Sequence, residues 1–276
     1  MSIAVALSFF WLFFTNMRQQ IIRIVVLFFL GTGIFPTAFA QDYWGQHSIK
    51  SPEHFIFGYG SLISSKSRNA SVATPIPAIP VRVSSNLGYI RTWNSRSPTE
   101  FTALGLRKPN RDEKATSING VLYPVAGNDM ASYDQREEGY VRVGIPLTDI
   151  EALSWQGLPK TGKIWVYVPA VAGNEPGVGL PGADSKFPLL QSYIDVVLEG
   201  AMEYGDDFVN ELISTTKDWD PHWLNDRILP RRPWVAEKQY GKIDNYLKQV
   251  PSLQNRQMPE DYAASLAVER LQQKAN

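Results

Sequence analysis

Apolar and polar residues alternate in short segments through much of the first half of the chain, a pattern that is typical of β-strands with one buried face. Each segment is bounded by Ser, Asn, Pro or Gly, which favour turns. The pattern predicts strands over residues 55–59, 79–83, 88–93, 102–106, 118–125, 140–147 and 164–168. The intervening segment 64–77 is rich in Ser, Pro and Ala and predicts a loop.

The apolar spacing changes to three or four residues after position 188, which predicts helices. Helices are predicted over residues 128–138, 189–204, 206–213 and 259–273, with one more between residue 234 and the last of these. Gly139 and Gly205 are expected to end two of them, and the pairs Asn128-Asp129 and Asp206-Asp207 are expected to act as N-terminal caps. This order of elements predicts an α+β fold, a small and mostly antiparallel barrel followed by packed helices.

A different pattern precedes these elements. Met17 opens a short basic segment, an apolar run follows, and Ala38 and Ala40 are small residues placed three and one positions before Gln41. This pattern predicts a secretory signal peptide over residues 1–40, with the true start at Met17 and cleavage after Ala40. We therefore expect an exported, periplasmic protein without stable membrane association after cleavage; the alternative is an uncleaved N-terminal membrane anchor.

The composition of the chain excludes several kinds of partner and catalytic site. The chain has 27 Lys plus Arg and 27 Asp plus Glu, so no global field favours nucleic acid as a partner. It has no cysteine, which excludes a thiol nucleophile and thiolate zinc sites. His47, His54 and His222 lack the spacing of metal ligands, so no metal site is expected.

A glycine turn follows the first predicted strand. Gly58 and Gly60 permit backbone angles that other residues resist, so the chain can turn sharply as it leaves the sheet. Successive N–H groups in such a turn can converge on an anion. An ordinary structural turn is the alternative, and Ser61 as a nucleophile would need a base closer than His54.

An acidic residue at the end of the first predicted helix is a second candidate. Positions 130, 133 and 137 share one stripe of that helix. Met130 and Tyr133 make the stripe apolar, so Glu137 is expected to point inward and Glu138 to face solvent. Desolvation disfavours the charged form of an inward carboxylate, which makes Glu137 a candidate general acid/base. A structural ion pair with an arginine is the alternative.

Together these segments resemble the γ-glutamylcyclotransferase family. The likeness rests on the sequences Phe57-Gly58-Tyr59-Gly60-Ser61-Leu62 and Tyr133-Asp134-Gln135-Arg136-Glu137-Glu138-Gly139-Tyr140. It extends to residues 188–200, 215–219 and 225–230, a pattern of a bacterial branch with an extended helical C-terminus. The resemblance implies a γ-glutamylcyclotransferase-like domain over residues 52–233, built on a small mixed or antiparallel β-barrel, and a helical extension over 234–276.

The resemblance also implies an activity. A small γ-glutamyl amine or peptide would be converted to 5-oxoproline with release of the amine, and no cofactor is needed. Glu137 would be the catalytic general acid/base, Tyr140 would orient the substrate, and the substrate α-carboxylate would be held by Tyr59, Gly60, Ser61 and Leu62. Two alternatives remain open: a catalytically idle relative that binds a small ligand or a protein, and an acyltransferase in which an outside amine attacks.

Overall fold

The computed structural model describes residues 52–70, 74–125, 130–228, 230 and 239–275. The predicted signal peptide, the cap at Asn128-Asp129 and the predicted boundary after residue 233 lie outside the described residues. Among the helices that are described, none combines the length and the apolar character needed to cross a bilayer.

The seven segments predicted as strands form strands: β1 (His54–Gly58), β2 (Ile79–Val83), β3 (Ile90–Ser97), β4 (Phe101–Arg107), β5 (Ile118–Val125), β6 (Tyr140–Ile145) and β8 (Lys163–Pro169). A further strand, β7 (Ile150–Ala152), was not predicted. Six of these strands form a mixed sheet in the order β6-β8-β1-β5-β2-β7. β1 and β8 run parallel, and the other neighbours are antiparallel.

The predicted barrel is not closed, which corrects the sequence interpretation. β3 and β4, which were expected among the barrel strands, form a separate two-stranded sheet. Backbone groups on the outer edges of this hairpin form hydrogen bonds with segments outside the main sheet. The Thr102 N–H donates to the Pro188 carbonyl, and the Lys217 N–H donates to the Arg91 carbonyl. In the described part of the chain the hairpin pairs with neither β6 nor β7, and the main sheet stays open.

The central strands of the main sheet, β1 and β5, are buried on both faces. Successive side chains of a strand point to opposite faces. On β1, Ile56 belongs to one apolar cluster, whereas Phe55 and Phe57 belong to a second cluster on the other face. β5 divides in the same way between Tyr123 and Leu122. The first cluster is where the helices pack.

The helices are α1 (Ser65–Asn69), α2 (Met130–Arg136), α3 (Gln191–Met202), α4 (Asp206–Thr215), α5 (Tyr240–Leu247) and α6 (Pro259–Ala275). α1 lies in the segment predicted as a loop; it is polar, so it gives no apolar period, and the Ser64 hydroxyl caps it. The cap predicted at Asp206-Asp207 is wrong in position. Gly205, at φ 98°, is the N-cap of α4, and the Asp206 carboxylate accepts a hydrogen bond from Tyr246 instead.

Gly200 of α3 allows that helix to pack directly on the backbone of the chain that leaves β1. A Cβ atom at this position would lie 2.3 Å from the Ser64 nitrogen and 2.8 Å from the Ile63 carbonyl carbon. Real Cβ atoms do not approach backbone this closely, so the helix and the 63–64 segment fit only because residue 200 is glycine.

Gly200→Ala is therefore expected to lower the free energy of unfolding by about 1–3 kcal/mol, since overpacking forces backbone shifts. Urea unfolding followed by circular dichroism measures the change. The matched control is Gly241→Ala in α5, where a Cβ atom meets nothing within 4 Å. There the same substitution is expected to stabilise by about 0.4–1 kcal/mol, because alanine lowers the conformational entropy of the unfolded chain. Equal effects at the two sites would contradict the packing argument.

Arg91 of β3 is fully buried. Its guanidinium donates to the Asn119 carbonyl and side-chain oxygens at 2.7 and 2.8 Å, to the Leu212 carbonyl at 3.0 Å, and to the hydroxyls of Thr215 and Thr216 at 2.8 and 2.9 Å. Burial lowers the pKa of Arg91 to about 9, which still leaves it protonated at neutral pH. The side chain thus joins β3 and β5 to the C-terminal end of α4.

The C-terminal elements join the same core. β9 (Leu189–Leu190), β10 (Trp223–Leu224) and β11 (Arg256–Gln257) form a small parallel sheet, with β10 in the middle. Ile243 and Leu247 of α5 belong to the apolar cluster that packs on the main sheet. The segment after residue 239 is therefore packed against α3 through apolar contacts, as well as through the short strands.

Buried charges reinforce this junction. Arg227 donates to the buried Asp195 carboxylate at 2.7 and 2.8 Å, and to Asp244 of α5 at 3.0 Å. Burial raises the pKa of Asp195, and the hydrogen bonds from Arg227 act against that rise. Arg256 also donates to Asp244, at 2.8 Å. The 225–227 segment thus fixes α5 to α3.

Three tryptophans form an aromatic cluster beside this junction. The ring centroids of Trp93 and Trp219 are 4.9 Å apart, and those of Trp219 and Trp223 are 5.6 Å apart. Trp93 also meets the edge of Tyr193 at 6.2 Å. The tryptophan cluster connects β3 to β10 and, through Tyr193, to α3.

Candidate active site

A cavity of about 640 Å³ opens where β1 ends. Its wall comes from the turn after β1, the segment between α2 and β6, the hairpin β3–β4, and tyrosines from β8 and α3. The lining includes all six residues that the sequence assigned to the site: Tyr59, Gly60, Ser61, Leu62, Glu137 and Tyr140. Two segments that are far apart in sequence therefore meet at one cavity.

The turn after β1 presents main-chain N–H groups. Residues 61–63 form a single 3₁₀ turn, in which the Ile63 N–H donates to the Gly60 carbonyl and the Ser64 N–H to the Ser61 carbonyl. In the described part of the chain, no hydrogen bond has the N–H of Ser61 or Leu62 as its donor. Those groups can accordingly serve a ligand in the cavity.

Neighbouring side chains approach both glycines of this turn closely. A Cβ atom on Gly58 would lie 3.1 Å from the Leu62 Cβ, and one on Gly60 would lie 3.2 Å from the Tyr193 hydroxyl. The Tyr59 hydroxyl is not directed to a ligand, since it donates to the Tyr167 carbonyl at 2.8 Å. Tyr59 thus contributes its backbone and ring to the site.

Glu137 follows α2 directly. Met130 is buried, Tyr133 packs against the core, and Glu137 is half-buried in the cavity wall, which matches the predicted stripe. The helix ends one residue earlier than the acid, and Gly139 turns the chain at φ 89°, as predicted. Glu138 is exposed, as expected, but it also lines the cavity, a position that the stripe did not predict.

Tyrosines surround this acid. Burial raises the pKa of Tyr59 and of Tyr123 well above the usual value, and the negative charge of Glu137 adds to both shifts. Burial also raises the pKa of Tyr140 to about 12, with a smaller contribution from Glu137, against the lowering effect of a hydrogen bond to Ser95. The Tyr140 phenol therefore stays protonated at neutral pH and can act as a hydrogen-bond donor.

Ser95 and Arg96 are lining residues that the sequence did not identify. The Ser95 hydroxyl is hydrogen-bonded to the Tyr140 hydroxyl. The β3–β4 register shifts between Trp93 and Ser95, which marks a bulge just before these two residues. A bulge re-aims the side chains that follow it. No sequence signal marks this bulge, so regular alternation could not place Ser95 and Arg96.

The described residues do not form a serine–histidine pair at the cavity. His54 accepts a hydrogen bond from the Trp165 indole at 3.1 Å and does not line the cavity with Ser61. Within the described ranges, no group of three or more His, Cys, Asp or Glu side chains is placed to hold a metal ion.

No known protein family matches the chain, and no curated protein matches it. Solved structures with a similar arrangement include an uncharacterized protein from Homo sapiens, 15% identical with a TM-score of 0.40, covering 60% of this chain and 90% of that one. A gamma-glutamyl cyclotransferase is 15% identical with a TM-score of 0.37, covering 71% of this chain and 98% of that one.

A gamma-glutamyl cyclotransferase from yeast, described as specific to glutathione, is 17% identical with a TM-score of 0.32, covering 58% of this chain and 96% of that one. Gamma-glutamyl cyclotransferases are thus among the structural neighbours of this chain. At these TM-scores the likeness is too distant to establish a shared activity, so a functional proposal depends on the geometry of the site.

Proposed function

We propose that this protein is a cyclotransferase that converts a γ-glutamyl amine or peptide to 5-oxoproline and releases the amine. One observation carries the proposal: Glu137 and the turn at residues 59–62 line the same cavity. A carboxylate that can exchange protons and a set of main-chain donors that can hold an anion are the groups that this ring closure needs.

The substrate carries its own nucleophile. Its α-nitrogen, once deprotonated by the Glu137 carboxylate, attacks the γ-carbonyl carbon and forms the lactam C–N bond. The former amide C–N bond then breaks. The departing nitrogen gains the protons that the α-nitrogen lost, with Glu137 as the carrier, so the acid returns to its starting state. Holding the substrate in a folded conformation replaces an external nucleophile, because it makes the attack intramolecular.

The other site residues position the substrate in this proposal. The N–H groups of Gly60, Ser61 and Leu62 hold the α-carboxylate, and charge-assisted hydrogen bonds of this kind are strong. The Tyr140 hydroxyl, fixed by Ser95, donates to the substrate beside the reacting carbonyl. The neighbouring tyrosines exclude water, which strengthens each of these interactions.

A substrate panel tests the proposal. The purified protein is incubated with γ-glutamyl amines, γ-glutamyl amino acids and longer γ-glutamyl peptides, and the products are identified by mass. Oxoproline together with the free amine supports the proposal. A new amide points to the acyltransferase alternative, in which an outside amine attacks. Ligand binding with no product from any substrate points to an idle relative and rejects the enzyme.

We also propose that the mature protein is exported, from the basic and apolar pattern that ends at Ala38-Phe39-Ala40. The N-terminal sequence of the protein recovered from its host distinguishes cleavage of the signal peptide from a retained membrane anchor. A start at Gln41 supports cleavage, and a retained Met17 supports the anchor instead.

A further inference from the structure

Arg96 lies in the cavity wall. Among the described residues that line the cavity, the charged side chains are Arg96, Glu137 and Glu138. In the proposed reaction the γ-glutamyl half of the substrate already has partners, since its α-ammonium meets Glu137 and its α-carboxylate meets the turn at residues 60–62. A cation is then left for the other half of the substrate.

The Arg96 guanidinium is held in one orientation. Its Nε and Nη2 atoms donate to the Gly182 carbonyl at 3.3 and 3.0 Å, and Nη2 is also paired with the Asp184 carboxylate. Its plane lies over the Phe187 ring, 4.6 Å from the centroid. A guanidinium that is already fixed loses little conformational freedom when it binds a ligand.

The loop that holds Arg96 is itself ordered by hydrogen bonds. The Asp184 carboxylate accepts from the N–H groups of Lys186 and Phe187 at 2.9 and 2.8 Å. The Tyr262 hydroxyl of α6 donates to the Ser185 carbonyl at 2.8 Å. The 182–187 segment thus holds the Arg96 guanidinium through Gly182 and Asp184, and it contacts the C-terminal helix through Ser185.

Part of the guanidinium remains available. An arginine has five N–H donors. Among the hydrogen bonds and ion pairs of the described residues, none uses Nη1 of Arg96. The side chain is 28% exposed and lines the cavity, so Nη1 can meet an anion there.

We propose that Arg96 is a specificity-determining residue that selects substrates whose leaving amine carries a carboxylate, namely γ-glutamyl amino acids and peptides with a free C-terminus. This inference rests on the proposed cyclotransferase function and specifies its substrate class. Nη1 donates to the carboxylate of the departing amino acid, while the amide nitrogen of that residue faces Glu137. Uncharged γ-glutamyl amines lack this contact.

The test compares γ-glutamyl-alanine with its C-terminal amide, which has nearly the same shape and no second carboxylate. For the full chain, kcat/KM is expected to be roughly 10–100-fold higher for the free acid, the range for a hydrogen bond to a charged group. Arg96→Gln is expected to bring that ratio close to one by lowering only the value for the acid. Arg96→Lys retains a charge and is expected to keep part of the preference.

The matched control is Lys186→Gln. It removes a charge from the same loop, above the same Phe187 ring at 5.4 Å, from a side chain that does not line the cavity. It is expected to leave the ratio unchanged. Thermal unfolding of each variant shows whether the fold is retained.

Two results overturn the inference while leaving the cyclotransferase proposal intact. One is an equal kcat/KM of the unmodified chain for γ-glutamyl-alanine and for its C-terminal amide. The other is an equal loss for both substrates in Arg96→Gln, which assigns Arg96 to the glutamyl α-carboxylate instead. If neither substrate yields oxoproline, the proposed function fails. Calorimetric binding of the two compounds then still decides whether Arg96 recognises the second carboxylate.

Discussion

Glu137→Gln is expected to lower kcat/KM for oxoproline release by roughly 10²–10⁴-fold, the usual contribution of a general acid/base. Glutamine keeps the size and polarity of the side chain at this half-buried position but cannot exchange the proton. Substrate binding is expected to persist, since the turn at residues 60–62 and Arg96 are untouched. Oxoproline is measured by mass beside the rate of amine release, and binding by calorimetry.

Glu138→Gln is the matched control, because Glu138 also lines the cavity yet is exposed. Its loss is expected to be far smaller than that of Glu137→Gln. Tyr140→Phe in the same assay is expected to cost about tenfold, since it removes an orienting hydrogen bond and leaves the proton carrier in place. An equal loss in the two glutamate variants, or full activity in Glu137→Gln, would reject Glu137 as the proton carrier.

Arg91→Met is expected to lower the free energy of unfolding by about 2–6 kcal/mol, because two buried oxygens of Asn119 lose the donor they have now. Methionine fills a similar volume but cannot donate to the Asn119 carbonyl and side-chain oxygens; the Leu212 carbonyl still accepts from the Thr216 hydroxyl at 2.6 Å. Each buried acceptor without a partner costs about 1–3 kcal/mol. Denaturant unfolding measures the change, and the midpoint should fall with little change in slope.

Arg142→Met provides the comparison. Arg142 is partly exposed and pairs with the exposed Asp134 at 3.1 Å. Ion pairs of this kind contribute about 0–1 kcal/mol, so a much smaller loss is expected. An Arg91→Met protein as stable as the unmodified chain would show that β3, β5 and α4 do not depend on the guanidinium for their packing.

Local patterns predicted much of the fold. The predicted and observed bounds agree at Ile79–Val83 and Ile118–Val125, where turn residues flank apolar β-branched segments. α1 was missed because its sequence, Ser-Lys-Ser-Arg-Asn, is polar throughout and its only local signal is the Ser64 cap. The barrel was wrong because hairpin edges are satisfied by residues far away in sequence, which periodicity cannot detect.

The residues that line the cavity were predicted as far as their signals are local. A helical stripe placed Glu137, and the glycine pattern placed the turn, because each depends on neighbours within a few residues. Ser95 and Arg96 follow a bulge, and Arg96 is held by Gly182 and Asp184 from another part of the chain. The burial of Arg91 likewise depends on threonines more than a hundred positions away. Long-range contacts of this kind have no signature in a single sequence.

The cluster of Trp93, Trp219 and Trp223 gives the protein an intrinsic spectroscopic signal. Indoles at these separations couple their electronic transitions, and the coupling depends on the relative orientation of the rings. The three rings come from β3, from β10 and from the segment that precedes β10. Near-ultraviolet circular dichroism therefore reports, without an added dye, whether these elements are packed against one another.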